Sequence, residues 1–525
     1  MKIFLTTIIS AFCIFTASSQ QISVTQQHKL NDVLNIIGRS YVDTIDEKKV
    51  VEDAIVGMLK ALDPHSAYIP PEEVERVNEP LQGGFDGIGI QFQMFEDTLL
   101  VVQTIAGCPA EKVGVLPGDR IIYVGDTLIA GIKKQNSDIM KLLRGRRGTE
   151  VEVSVKRFGE KNLLKFNIIR DKIPIYSVDA YYMIDNEIGY IRINSFGANT
   201  VKEFEDAFTG LKARGMQSLI LSLQGNGGGY LQSAFMLADH FLSGDKVIVY
   251  TQGSKQANYV MQARREGLFE KGKLIVLVDE YSASASEIVS GAVQDWDRGI
   301  VIGRRTFGKG LVQSQMKLDD GSLLRLTTAR YYTPAGRCIQ KPYNEGVEYG
   351  KDILERYEHG ELFHADSIHF PDSLKYKTLT LNRTVYGGGG IMPDIFVPLD
   401  TAQYTEFYRR VVARGFVNKL IVKYVTENGG NLKLKYPNFE DYENNFEVGD
   451  EFVEKLREEA LNADITVDED QVSLSTPLIK RVIKARIAGD VWTTNEYYKI
   501  IDAENKLLQK AVEILQTSTY EEILR

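Results

Sequence analysis

Tryptophan occurs twice, cysteine three times and histidine six times in 525 residues, and each scarcity closes off a class of function. Three cysteines cannot build a disulfide framework. Neither they nor the scattered histidines fall into the spacing of a zinc site, so no metal and no other cofactor is expected. His240 falls on an expected helix, His65 follows a proline in a helix-ending turn, and His359, His364 and His369 lie in a polar segment without a partner motif. Basic residues are outnumbered 62 to 71, giving a net charge of −9. They are dispersed rather than blocked, which argues against a nucleic-acid partner. Long apolar runs are absent except at the start, where Ile3 to Phe15 follows Lys2 and precedes Ala17-Ser18-Ser19. That is the three-part pattern of a secretory signal peptide, residues 1–19. It is shorter than the roughly 20 residues that a membrane span needs, and the bulky Phe12 before Cys13 argues against a lipid-modified cysteine. The mature chain is expected to be exported, without an integral membrane segment, to the periplasm or cell envelope if the organism is Gram-negative. Cys108 and Cys338 then read as buried thiols, with a single disulfide as the alternative in an oxidising compartment.

What is present is ordinary for globular domains: 43% apolar and 25% charged residues. The length is too great for one core and implies two to four domains. Residues 20–82 read as helical, with Leu30, Val33, Ile36 and Ile37 on one face, a second run from Val50 to Leu62, and a short helix opened by Pro70-Pro71-Glu72-Glu73. Gln82-Gly83-Gly84 breaks the pattern. Short strands follow: Gly87 to Phe92, Leu99 to Val102, Ile121 to Val124 and Val151 to Val155, with a helix from Ser137 to Leu143. From about Ile173 the texture becomes strand–loop–helix. Gly189 to Ile193, Leu219 to Leu221, Leu274 to Val278 and Ile300 to Ile302 read as buried strands, and Thr200-x-x-Glu203 reads as a capping box. Such alternation implies a layered α/β core. VYGGGGIMPDIFVP at 385–398 reads as a glycine turn leading into a strand. Residues 401–525 turn charged and amphipathic, with helical runs at Gln403 to Val412 and Ser475 to Ile487, and read as a separate, mostly helical domain.

Two segments carry chemistry. GRRTFGKGL at 303–311 nearly matches a phosphate-binding loop, Gly303-x-x-x-x-Gly308-Lys309. Gly310 stands where Ser or Thr would hold magnesium, and Leu311 to Met316 alternates like a strand where a helix should begin, so the nucleotide reading fails on context. DEYSASASEIVSG at 279–291 places Ser282, Ser284 and Ser286 at a strand-to-helix turn, beside the free amides of a helix N-terminus. A serine there could serve as a nucleophile if a lysine in an apolar pocket were neutral enough to act as its base. The plainer alternatives are that Ser284-x-x-Glu287 is only a capping box and that Lys309 is a solvated lysine on a glycine turn.

The full set of segments decides between these readings. LDPHS at 62–66, FDGIGI at 85–90, PAEKVGVLPGD at 109–119, LLRGRRGTEVEV at 142–153, SASASEIVSGAVQD at 282–295, GRRTFGKGLVQ at 303–313, YYTPAGRCIQ at 331–340 and GGGGIMPDIFV at 389–397 together resemble the C-terminal processing peptidases, or tail-specific proteases. These are Ser–Lys serine proteases with a PDZ domain. The resemblance implies a multidomain α/β protein. A crotonase-like (ClpP-like) α/β protease core at 173–400 would carry an inserted PDZ domain at 83–172, an N-terminal helical region and the helical C-terminal extension. It implies Ser284 as nucleophile, Lys309 as general base and Gln313 as the residue that orients the lysine. Were Leu311 to Met316 a strand, the even separation of Lys309 and Gln313 would point both to one face. The oxyanion hole would be the amides of Ala285 and Gly228.

The PDZ domain would take the C-terminal segments of protein substrates at Phe85, Gly87, Ile88, Gly89 and Ile90. Arg144 is a possible regulator by analogy, or else a surface arginine at a turn. The C-terminal domain could dock an adaptor or a second copy. One stretch departs from the family: where it usually reads Asp-Leu-Arg-x-Asn-x-Gly-Gly, this chain has Ser222-Leu223-Gln224-Gly225-Asn226-Gly227-Gly228-Gly229. An acid and a base are both replaced by neutral residues. The alternative functions are therefore a catalytically weakened PDZ scaffold or chaperone and, from the near phosphate loop, an NTPase.

Overall fold

The structure is a computed structural model that describes residues 21–95, 97–255, 258–264, 266–343 and 348–525. The expected signal peptide lies outside the described residues. The chain forms two compact units, one of residues up to 74 with 251–259 and 311–331, and one of the remainder.

In the smaller unit, helices Val24–Ser40 and Glu47–Lys60 match the expected runs. Asp46 starts the second by accepting the Lys49 amide at 3.1 Å. The apolar face of the first helix lies open, with Leu30, Val33 and Ile36 all exposed. A strand that the sequence did not suggest, Ala67–Ile69, pairs antiparallel with Leu323–Tyr332, which pairs in turn with Leu311–Lys317.

The larger unit opens with the PDZ-like body. Strands Ile90–Phe95, Thr98–Thr104, Arg120–Val124, Glu150–Lys156 and Leu164–Ile169 lie in that order in one sheet. Leu99, Val101, Ile121 and Val153 pack there with Ile139 of helix Asn136–Leu143. The expected single strand from Gly87 to Phe92 is two pieces. Gly84–Gly87 pairs with Asp171–Pro174, and the next strand starts only at Ile90, after Gly89 at φ 81°. A side chain at Gly89 would also sit 2.4 Å from Cys108 Cβ, so the buried cysteine fills the space a glycine leaves. The PDZ body closes at Pro174 rather than 172. Cys108 and Cys338 are both free thiols.

The core sheet runs Val178–Met183, Ile188–Ile193, Ser218–Ser222, Leu274–Val278, Ile300–Gly303, Ile395–Phe396, the first pair antiparallel and the rest parallel. Both faces are apolar, as a parallel sheet requires when helices cover each side. Helices Thr200–Ala213, Leu231–Ala238 and Ala285–Asp295 bring Phe204, Phe208, Leu237, Val289 and Ala292 into the interior. The opposite face, with Tyr190, Ile220, Ile275, Leu277, Ile300 and Ile302, packs against Leu507, Leu508, Ala511, Ile514 and Tyr520.

That cover corrects the expected boundary at 400/401. Helices from Glu406–Ala413 through Thr494–Ile501 do gather around their own core, including Phe407, Ile421, Tyr442, Phe452 and Ile483. Lys506–Gln516 and Thr519–Ile523, however, belong to the α/β core as its second helical layer. The expected capping box at Thr200 also fails. Thr200 is already the first helical residue, and Glu203 instead accepts the amides of Ser177 and Val178 at 2.7 and 3.0 Å.

Candidate active site

The three serines of SASAS have different situations. Ser282 Oγ donates to the Leu223 carbonyl at 2.8 Å and Ser286 Oγ to that of Asn226 at 2.9 Å. The outer two therefore staple the serine turn to the glycine loop. Ser284 sits between them, half-buried, at φ 55° and ψ −109°. An L-residue with a side chain adopts positive φ only at a cost of about 1–3 kcal/mol, and such strain is concentrated where a side chain must be aimed. Helix Ala285–Asp295 starts immediately after it, so the Ala285 amide has no intrahelical carbonyl to meet.

Glu287 joins this turn to the lysine loop. It is fully buried, and its carboxylate accepts the Ser284 amide at 2.8 Å, the Gly308 amide at 2.8 Å, the Lys309 amide at 2.9 Å and the Thr306 hydroxyl at 2.5 Å. The Ser284 and Lys309 amides share one oxygen, Oε2, so their nitrogens lie no further apart than those two bonds laid end to end. Burial pushes the Glu287 carboxyl up and the four donors pull it part of the way back, leaving it raised to about 7. The sequence showed this glutamate only as a helix cap; its larger task is to hold two loops together.

Lys309 lies in a loop ahead of strand Leu311–Lys317. The strand alternation invoked to align it with Gln313 therefore does not reach it. Its flanking glycines allow close passage of backbone. A Cβ on Gly308, at φ 87°, would meet Gly389 and Gly390 backbone atoms at 3.1 Å, and one on Gly310 would lie 2.9 Å from the Gln340 amide. A strand, not a helix, follows, which removes the phosphate-loop geometry.

Gln313 belongs to the smaller unit, where its Nε2 donates to Thr327 Oγ1 at 3.3 Å. Thr327 Oγ1 in turn donates to Asp63 at 3.0 Å, a partner supplied by the LDPHS segment. Burial raises the Asp63 carboxyl, but the Ser66 hydroxyl, the His65 and Ser66 amides and the Thr327 hydroxyl together hold it below its ordinary value.

Gly228 has φ 100°, and a Cβ there would stand 2.8 Å from Ser284 Cβ and 3.0 Å from the Ala285 amide. The glycine loop thus lies directly against the serine turn. The Gly228 amide already donates to Asn226 Oδ1 at 2.9 Å. Upstream, the Gly225 amide donates to both oxygens of the buried Asp279 at 3.0 Å.

In the PDZ body, Ile88 and Gly89 form the turn between two strands, their carbonyls accepting the Ala110 and Ile105 amides at 2.8 and 2.9 Å. Ile90 begins an edge strand whose neighbour in the sheet is Thr98–Thr104, so its outer side suits addition of an extended peptide. Phe85 and Gly87 lie instead on the ladder with Asp171–Pro174. The Arg144 guanidinium stands 4.3 Å over the Phe85 ring and bonds Glu79 at 2.6 Å, so Arg144 is a tied residue and not a loose surface cation. His240, by contrast, is buried against Glu205 at 3.1 Å, far from this chemistry in role. Among the described residues no cluster of three His, Cys, Asp or Glu could hold a metal, and no helix is long and apolar enough to cross a membrane.

The structure thus brings a strained serine at a strand-to-helix turn, a lysine loop and a glycine loop together, and comparison with known proteins gives the family. Residues 187–350 match peptidase family S41, residues 87–168 a PDZ domain, and residues 14–73 the activating protease CtpB N-terminal domain. Residues 407–493 match a family of unknown function. The chain is 37% identical over 345 residues to a carboxy-terminal-processing protease of Bartonella bacilliformis, covering 65% of this chain and 77% of that one. It is 38% identical over 317 residues to carboxy-terminal processing protease CtpA of Bacillus subtilis, covering 60% and 66%. The chain belongs to the carboxy-terminal processing proteases and is a serine-type peptidase. Among solved structures it is similar to a photosystem II D1 C-terminal processing protease (29% identity, 61% of this chain and 91% of that one, TM-score 0.34). It is also similar to the peptide-bound PDZ domain of a Vibrio cholerae carboxy-terminal protease (30%, 18% and 99%, TM-score 0.17).

Proposed function

We propose that this protein is an exported endopeptidase that captures protein C-termini through its PDZ domain and cuts them with a Ser284–Lys309 dyad. The observation that carries the reading is the Glu287 carboxylate, which gathers the Ser284 and Lys309 backbones at one oxygen beside Gly228. Neutral Lys309 Nζ takes the Ser284 hydroxyl proton as Oγ attacks the scissile carbonyl carbon. The C–N bond breaks, the amine leaves with the proton returned by the lysine, and a Ser284 ester remains. Water, deprotonated by the same lysine, then cleaves the ester and restores the serine. The developing oxyanion is assigned to the Ala285 and Gly228 amides, the latter after exchanging its Asn226 acceptor for substrate. Gln313 orients the lysine, as the family resemblance implies.

A terminal carboxylate is assigned to the Ile88–Gly89 turn, with the substrate strand added beside Ile90; Phe85 and Gly87 support that turn from the neighbouring ladder. Arg144, stacked on Phe85, is positioned to couple this turn to helix Pro71–Gln82 through Glu79. The two-sided helical cover of the parallel sheet supports the crotonase-like (ClpP-like) reading of the core. Export is supported by the pattern of residues 1–19 and is checked by sequencing the N-terminus of the protein recovered from the cell envelope.

The test is cleavage of a protein with an apolar C-terminus by the purified mature enzyme. Activity that disappears in both Ser284→Ala and Lys309→Ala, and persists in EDTA, is expected. Activity surviving Ser284→Ala overturns the dyad. Binding without cleavage by the wild type supports the second reading, a PDZ scaffold, which the neutral Ser222 and Gln224 and the occupied Gly228 amide favour.

A further inference from the structure

Ser222 and Gln224, both neutral, lead into the glycine loop, and contacts from other parts of the chain hold the peptide between Gln224 and that loop. The peptide linking Gln224 to Gly225 is fixed at both polar atoms. Arg192, on strand Ile188–Ile193, donates Nη2 to the Gln224 carbonyl at 3.1 Å and lies with Nη1 3.5 Å from Ser222 Oγ. Asp279 takes the Gly225 amide from the other end. The side chain is held as well, since Asn505 Nδ2 donates to Gln224 Oε1 at 3.0 Å and Ser222 Oγ lies 3.4 Å from the same oxygen.

Asn505 is itself rigidly placed. Its Oδ1 accepts the Leu507 and Leu508 amides at 3.0 and 3.5 Å and so caps helix Lys506–Gln516. That helix is anchored on the core sheet by Leu507, Leu508, Ala511 and Ile514. Arg192, mostly buried, is balanced by Asp179, 4.0 Å from its Nε, and lies 4.8 Å from the ring of Tyr498. Tyr498 and Asp502 come from the same C-terminal segment, and Asp502 accepts from Tyr190 at 2.9 Å. A charge-assisted bond from a buried arginine is among the stronger fixings of a backbone carbonyl.

We propose that Asn505 is a positioning residue for the glycine loop. Acting through Gln224, opposite Arg192, it holds residues 225–229 against Ser284 with a contact from the C-terminal segment. Its catalytic consequence rests on the Ser–Lys reading; its structural consequence does not.

The experiment uses full-length mature protein and two substitutions. Asn505→Ser keeps an oxygen to cap the helix but removes the amide donor. Gln224→Leu keeps the side chain's bulk and removes its oxygen. Each is expected to lower kcat about tenfold with KM changed by less than about twofold, because a small displacement of an oxyanion donor acts on the transition state. The double variant is expected to lose no more than either single one, since both break one contact. Hydrogen exchange of the peptide covering 223–230 is expected to speed up in both, about tenfold, with exchange in the PDZ body unchanged. Unchanged exchange in 223–230, or losses that multiply in the double variant, overturns the proposal. If the wild type shows no Ser284-dependent cleavage, the protease reading falls, and the exchange comparison alone decides whether Asn505 braces the loop.

Discussion

The serine and lysine loops are held together by one residue close to Ser284, whereas the glycine loop facing them is held by several residues, two of them far along the chain. In the first case one carboxylate does the holding. Glu287 lies three residues after Ser284 and meets the lysine loop through short backbone bonds. In the second, Asp279, Ser282 and Ser286 of the serine segment are joined by Arg192 and Asn505 from two other elements. The contrast teaches that one site can combine a clamp made of a single buried charge with a brace made of dispersed contacts. The clamp fails all at once; the brace weakens by steps.

The sharpest break is at the reacting groups. Ser284→Ala is expected to lower kcat about 10⁵-fold or more, as loss of a nucleophile does in serine proteases, with an unchanged melting temperature and unchanged binding of a C-terminal peptide. Gly228→Ala comes next, at about 10² to 10³ in kcat. Its Cβ would stand 2.8 Å from both the Ala283 carbonyl and Ser284 Cβ, in a left-handed conformation. A crystal structure of that variant should show the serine turn displaced; an unmoved turn with full activity would remove Gly228 from the site.

Glu287→Gln tests the clamp itself and should cost about 10²-fold, since the amide NH₂ would replace one carboxylate oxygen and leave the two donors that this oxygen accepts facing another donor. The wild type should show the same weakness on acidification. With its value raised from 4.5 to about 7, Glu287 adds stability below its unfolded value, and that contribution is lost as pH rises through about 7. Activity runs the other way, because only the ionised carboxylate can accept from all four donors. A kcat–pH profile should therefore carry a limb near 7 in the wild type that is missing in Glu287→Gln. The smallest effect belongs to Thr327→Val, which cuts the contact between Asp63 and Gln313. A loss of about threefold in kcat is expected, of the size of one exposed-edge hydrogen bond, and a loss as large as that of Gln313→Ala would make Thr327 the main determinant of that side chain.

The legible parts of the molecule were those whose cause is local. Strand-to-helix turns, the strand after Lys309 and the buried parallel strands all follow from short-range pattern and were read correctly. Gly89 interrupts an alternation that looked continuous, because its backbone must bend around Cys108, a contact no pattern displays. The parity used to align Lys309 with Gln313 failed because the lysine precedes the strand. Glu287 looked like a cap, and half of that is true, but its bonds to residues 306–309 needed the loops to be brought together first. Helix Lys506–Gln516 was not singled out within the mostly helical stretch 401–525, and periodicity shows that such a helix has an apolar face but not which surface that face covers. Asn505 carried no signal at all, since a capping asparagine before a helix looks the same whether or not its amide reaches a distant loop.

The placement of Leu507, Leu508 and Ile514 on the core sheet has a consequence in time. Five of the six core strands and the serine, lysine and glycine loops are encoded by residue 313, yet one face of the sheet stays bare until the chain has been made past residue 514. Contacts between segments so distant in sequence form late in folding, after nearer ones. A ribosome-bound chain would therefore hold its serine and lysine loops with the Asn505 contact to the glycine loop still missing. The peptidase would complete its site only as its C-terminal helix docks, a built-in delay between synthesis and proteolysis.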